Sequence, residues 1–250
     1  MSTWVLLRGL MRDSRHWGDF PQRLQQAMPA HKVITLDFPG NGHLHAEISP
    51  TNVAEMVAHA RAQLTRLGYA PPYRILALSL GAMVAVAWSE MHADELEKMI
   101  LINTSLAPYN PFYQRLRPQN YAVVLRLPFA SIPQRERLIL NVTSNRSHTE
   151  DMDTILQQWI SYARAYPVSR ANMLRQLIAA MRFHAAPNAP AVPVLLLTGQ
   201  QDQLVSSQCT LTLARLWHCA VRIHPAAGHD LPLDDGDWVV AQICAWLDSA

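Results

Sequence analysis

Three side chains of different chemistry each stand at or shortly after the end of a short apolar run. Ser79 ends Arg74-Ile75-Leu76-Ala77-Leu78 and is followed at once by the small-residue stretch Leu80-Gly81-Ala82-Met83. Asp202 comes three residues after Gly199, behind Pro193–Thr198, and His229 follows Gly228, behind Cys219–His224. A serine hydroxyl becomes a nucleophile only when a base takes its proton and a third group orients that base. A strand that stops at a serine, with a helix starting behind it, puts the hydroxyl on a sharp turn above free helix N–H groups that favour negative charge. Each residue alone also has an ordinary reading. Ser79 could cap the helix Leu80–Met91, Asp202 could cap a turn, and His229 is one histidine of eleven. Their order and their shared placement after separate strands argue against three coincidences.

Positioning them requires an alternating architecture, and the chain has one. Thr3–Arg8, Lys32–Leu36, Tyr73–Leu78, Lys98–Asn103, Pro193–Thr198 and Cys219–His224 are short and rich in Val, Ile and Leu, as expected of parallel strands buried on both faces. Helical patterns lie between them. Ser49 and Pro50 read as the start of a helix running to Leu67, with Gly68 beyond its end, and Ser206–Trp217 and Asp237–Leu247 are periodic. This predicts an α/β fold with a mainly parallel sheet of about six strands flanked by helices. In such sheets ligands bind beyond the carboxyl ends of the strands, where Ser79, Asp202 and His229 fall.

The alternation stops after the fourth strand. Residues 104–191 open with Pro108, Pro111 and Pro118 and then turn helical over Arg135–Val142, Glu150–Arg164 and Ser169–Phe183. We expect a helical cap at 104–191, inserted into a core made of 1–103 and 192–250. The cap is also an arginine block: Arg115, Arg117, Arg126, Arg135, Arg137, Arg146, Arg164, Arg170, Arg175 and Arg182, with no lysine, stand against four acids. Either this is a solvated face balancing the acidic C-terminal segment, or some arginines receive an anionic substrate or an acidic carrier.

Composition narrows the remaining classes. The 250 residues are 50% hydrophobic and 16% charged, with a formal net charge of +2, which fits one compact domain. No apolar run is long enough to span a bilayer, and the opening Met1–Gly9 reads as a strand without the basic region of a signal peptide. Cys209, Cys219 and Cys244 lack metal spacing and read as free thiols of a cytoplasmic protein. His43 and His45 form a pair with no evident third ligand, so no metal or other cofactor is expected. Gly40-Asn41-Gly42 lacks a phosphate-loop frame, and the basic block lacks nucleic-acid motifs. Among rival acids, Asp230 adjoins His229 and would have to fold back on it, Asp37 and Asp153 are poorly placed, and Asn103-Thr104-Ser105 supplies no carboxylate.

The serine turn and four further loops together resemble the α/β-hydrolase-fold serine hydrolases over essentially the whole chain. Ala77-Leu78-Ser79-Leu80-Gly81 is similar to the serine turn, Gly199-Gln200-Gln201-Asp202 to the acid loop and Gly228-His229 to the terminal histidine loop. Asp37-Phe38-Pro39-Gly40-Asn41-Gly42 matches the loop after the second strand, and Leu7-Arg8-Gly9-Leu10 the oxyanion loop after the first. The resemblance implies Ser79 as nucleophile, His229 as base and Asp202 as the orienting acid. It also implies an oxyanion hole from the N–H groups of Leu80 and Leu10. Arg8 stands where the family usually has histidine and Ala77 where it has glycine, departures that bear on substrate preference. The layout is similar to capped carboxylesterases that release methyl esters from acyl carrier protein, and to cofactor-free lyases that bind carboxylates. The expected activity is hydrolysis of a carboxylic ester or thioester through an acyl-enzyme. A lyase or C–C hydrolase using the same triad, and a non-catalytic ligand receptor, are the alternatives.

Overall fold

Strand residues of the central sheet alternate between two helical layers, and that alternation explains their near-continuous apolar character. The computed structural model describes residues 2–146 and 151–249. In chain order the elements are β1 (Thr3–Leu7), α1 (Phe20–Ala27), β2 (Lys32–Leu36), α2 (Val53–Arg66), β3 (Tyr73–Leu78), α3 (Leu80–Met91) and β4 (Leu96–Ile102). Five helices follow before the sheet resumes: α4 (Phe112–Arg115), α5 (Tyr121–Arg126), α6 (Ile132–Thr143), α7 (Asp151–Ala165) and α8 (Arg170–Arg182). The chain ends with β5 (Val194–Gly199), α9 (Ser207–Trp217), β6 (Ala220–His224) and α10 (Leu231–Asp248).

The six strands pair in the order β2-β1-β3-β4-β5-β6, all parallel. Val5 and Leu7 of β1 face α2 and α3, through Val57, Leu64, Val84 and Trp88. Trp4 and Leu6 face α1 and α10, through Phe20, Leu24, Val239 and Ile243. A third apolar cluster, Leu140, Met152, Leu156, Trp159 and Ile160, joins α6 to α7. The chain runs from β1 to β2 on one side and then to β3 on the other. The crevice at this reversal lies beyond β1 and β3, where Leu10 and Ser79 stand.

Two expected helix starts are displaced. Ser49 does not cap α2, because tertiary contacts take its polar groups. Its hydroxyl donates to the Pro39 carbonyl at 2.7 Å and its N–H to Asn172 Oδ1 at 2.9 Å. Asn52 caps the helix instead, accepting from Glu55 N–H at 2.8 Å. The last helix begins at Leu231, not Asp237, with a break at Asp235, so it starts one residue after Asp230. In the helical segment between β4 and β5, Glu150, expected to open a helix, lies outside the described residues. Among those residues, no helix is long and apolar enough to cross a membrane.

Candidate active site

Ser79 occupies a turn that an ordinary residue adopts only under constraint. Its φ of +56° and ψ of −115° lie outside the regions open to L-residues, and such a conformation persists only where neighbours enforce it. The enforcement is visible on both sides. Ser79 N–H donates to the Ile102 carbonyl at 3.1 Å, and the Ser79 carbonyl accepts from Ala82 N–H at 2.9 Å. Gly81 lets α3 close onto the end of β1, since a Cβ there would collide with the Leu7 carbonyl. Ala77, by contrast, is a buried strand residue in register with Leu7, so a methyl group at 77 leaves the turn intact. The Ser79 side chain makes no capping hydrogen bond, which removes the reading of this serine as a helix cap.

Asp202 and His229 meet beyond β5 and β6. His229 Nδ1 is 2.7 Å from Asp202 Oδ2, and both residues are buried. The other carboxylate oxygen, Oδ1, accepts from the N–H groups of Leu204 and Val205 at 2.8 and 2.9 Å, which fixes its plane. Arg117, from the segment between α4 and α5, donates to the Asp202 carbonyl at 2.8 Å.

Asn103 holds this arrangement together, a role its amide does not announce in the sequence. It sits just past β4 with a φ of +48°, a left-handed conformation that asparagine tolerates. Its Oδ1 accepts from Thr198 Oγ1 and Gly199 N–H, each at 3.0 Å. Its Nδ2 donates to the carbonyls of Gly228 and His229 at 3.1 and 2.7 Å. One buried side chain thus ties the acid loop to the histidine loop. Its signal in the sequence is its place at the end of the fourth strand.

Ser79, Leu80, Leu10 and His229 line one cavity of about 240 Å³, with largely apolar walls. The N–H groups of Leu10 and Leu80 donate to no other group among the described residues. Arg8 also reaches this wall, where it binds Asp230 through two bonds, Nη1 to Oδ1 at 3.1 Å and Nη2 to Oδ2 at 2.6 Å. The guanidinium also lies 4.6 Å over the Trp17 ring. Asp230 therefore does not fold back on His229; it is the buried partner of Arg8. Burial alone would raise the Asp230 carboxyl, but the charge and hydrogen bonds of Arg8 outweigh it and hold the pKa low.

Arg8→Met is expected to cost about 3–5 kcal/mol in urea unfolding, because it strands a buried carboxylate. Pairing it with Asp230→Leu should recover most of that loss. The depressed carboxyl contributes stability above the unfolded value near pH 3.9, lost as pH falls through the lower folded value, and the double variant should lack this limb.

The remaining candidates disperse. Asp37 accepts from the N–H groups of Ser14 and His43 and shapes its own loop. Asp153 is exposed on α7. His43 and His45 both pack against Tyr166. No metal-binding group of three His, Cys, Asp or Glu occurs among the described residues. The Cys209 thiol, buried under α9, is pushed up to about 12 by burial, so it stays protonated. The arginines divide: Arg126, Arg137, Arg164, Arg170 and Arg182 are exposed, whereas Arg135 and Arg175 bind Glu136 and the Ser49 carbonyl.

The comparisons with known proteins agree with this architecture. Among solved structures, a thermophilic esterase from Thermogutta terrifontis superposes with a TM-score of 0.80 at 18% identity, covering 100% of this chain and 90% of that one. An enol-lactonase from Burkholderia xenovorans gives 0.81 at 18% identity, covering 99% and 91%. The 2-hydroxy-6-oxo-6-phenylhexa-2,4-dienoate hydrolase of a Rhodococcus species gives 0.76 at 16%, covering 97% and 89%. At these identities the likeness is one of fold. None of the curated proteins matches the sequence. The sequence profile of the alpha/beta hydrolase family matches residues 4–242, from β1 into α10, and with the parallel six-stranded sheet it settles that the chain belongs to this family.

Proposed function

We propose that the protein is a serine hydrolase that cleaves a carboxylic ester or thioester through an acyl-enzyme formed on Ser79. The observation that carries this reading is the buried His229–Asp202 bond at the wall of the cavity that also holds Ser79 on its constrained turn. With Nδ1 engaged by Asp202, Nε2 of the neutral imidazole is left to accept a proton. In the first half-reaction Ser79 Oγ attacks the carbonyl carbon as its proton passes to His229 Nε2. The carbonyl oxygen becomes an oxyanion facing Leu10 and Leu80 N–H. Collapse of the tetrahedral adduct breaks the bond to the alcohol or thiol, which takes the proton from His229. A water then repeats the sequence on the acyl-enzyme, returning the proton to Ser79. Donors of this kind contribute roughly 10²–10³ in rate each, and the apolar walls strengthen them by excluding water. The acyl portion of the substrate lies against those walls.

A fluorophosphonate probe tests the assignment directly. Intact mass and peptide mapping should show a single adduct, on Ser79, and simple p-nitrophenyl esters should be turned over by the unlabelled protein. Absence of an adduct, or one elsewhere, would overturn the nucleophile. An adduct on Ser79 without turnover of simple esters would move the reading to a lyase or C–C hydrolase that uses the same three residues. Tight ligand binding without turnover of any kind would mark a receptor.

A further inference from the structure

The positive charge around the cavity exceeds the negative charge that meets it. Arg8, Arg12 and Arg115 all line it. Asp230 takes both terminal nitrogens of Arg8, whose Nε is buried without an acceptor. Glu136 accepts from Arg12 Nη1 at 2.7 Å and from Arg135 Nε at 3.3 Å, so one carboxylate serves two guanidiniums and Arg12 Nη2 is left buried without an acceptor. Arg115 has no carboxylate partner among the described residues. Its Nη2 donates to the Ala180 carbonyl at 2.8 Å, and its Nε is buried without an acceptor. Burial lowers its pKa, the mark of a cation whose lost hydration is not replaced.

A guanidinium kept beside apolar walls without a counter-ion costs stability unless an anion arrives with the ligand. Much of the rest of the cavity wall, Leu116, Val123, Val124, Leu127, Leu174 and Leu177, offers a ligand hydrocarbon contact. A ligand matching both features has an apolar body and a carboxylate, which the planar fork of arginine binds through two parallel hydrogen bonds. We infer that the acyl chain of the substrate ends in a carboxylate, received by Arg115, while the scissile carbonyl lies at Ser79. This rests on the reading of Ser79 as the nucleophile. It separates Arg115, which faces the ligand, from the exposed arginines of the same segment.

Matched esters decide it. The p-nitrophenyl half-esters of adipate, suberate and sebacate are compared with the esters of hexanoate, octanoate and decanoate. At least one carboxylate-ended ester should exceed its neutral partner in kcat/KM by about tenfold, within the range of a charge-assisted hydrogen bond. Arg115→Met should lower that ratio about 10–100-fold and Arg115→Lys by less, and the ratio, not the rate, is the readout. A preference for the neutral ester in every pair would overturn the inference. So would a ratio that Arg115→Met leaves unchanged, which would make Arg115 a packing residue. If no ester is turned over, the esterase reading fails and calorimetry on Ser79→Ala decides this one. Adipate, suberate or sebacate binding more tightly than its monocarboxylate partner, with the difference lost in Arg115→Met, supports the carboxylate site; equal or absent binding refutes it.

Discussion

Ser79→Ala is expected to lower kcat on p-nitrophenyl esters about 10⁵–10⁶-fold, the scale on which removing a triad serine acts in other hydrolases. The loss should come without unfolding. The Ser79 side chain accepts no capping bond from α3, and the constrained φ of +56° is no worse for alanine than for serine. Stability in urea unfolding should therefore change by less than about 1 kcal/mol, since the substitution breaks no capping bond. A variant that keeps more than a hundredth of the activity would show that another group attacks the carbonyl. A variant that loses activity by unfolding would leave its circular dichroism and denaturation midpoint altered, so the two explanations separate.

Asp202→Asn should lower kcat about 10⁴-fold, through the tautomer of His229 and not through the fold. The asparagine oxygen can still accept from Leu204 and Val205, which the carboxylate Oδ1 now does at 2.8 and 2.9 Å. Its amide NH₂ must then face His229 Nδ1, where Asp202 Oδ2 now sits at 2.7 Å. A donor there obliges Nδ1 to accept and puts the ring proton on Nε2, the atom that has to take the proton of Ser79. Fluorophosphonate labelling should slow with kcat, while the binding of product carboxylates should hold. Unchanged kcat would remove Asp202 from the reaction and leave the bond to His229 as packing.

Much of the layout could be read from the sequence, because the signals that carried it are local. β2, β3 and α3 fall where apolar runs and the Ser79 turn put them. Strands buried on both faces leave an unbroken apolar record, and a serine followed by Gly81 at a strand end marks a close crossing of helix and strand. The Asp202–His229 meeting followed from chain order and from the rule that strand ends converge on one crevice. What stayed illegible is long-range pairing. Arg8 and Asp230 are 222 residues apart, and nothing beside either one names the other. Ser49 looked like a helix cap because the tertiary acceptors that claim it, Pro39 and Asn172, leave no mark near position 49. Nothing in the sequence tells the members of the arginine block apart, although some end at the surface, some on backbone carbonyls, and Arg115 at the cavity.

Asn103 carries a consequence for how this site can change over time. A carboxylate at the end of β4 would lie beside the same crevice, so the acid could in principle migrate there. In this chain that position is already committed. An aspartate at 103 could keep accepting from Thr198 and Gly199, but its second oxygen would face the carbonyls of Gly228 and His229, acceptor against acceptor. The histidine loop would lose two of its bonds in the same step that gained a new acid, keeping that of Gly228 N–H to Asp234. The amide at 103 thus supports the histidine loop in a way that a carboxylate at the end of β4 would not.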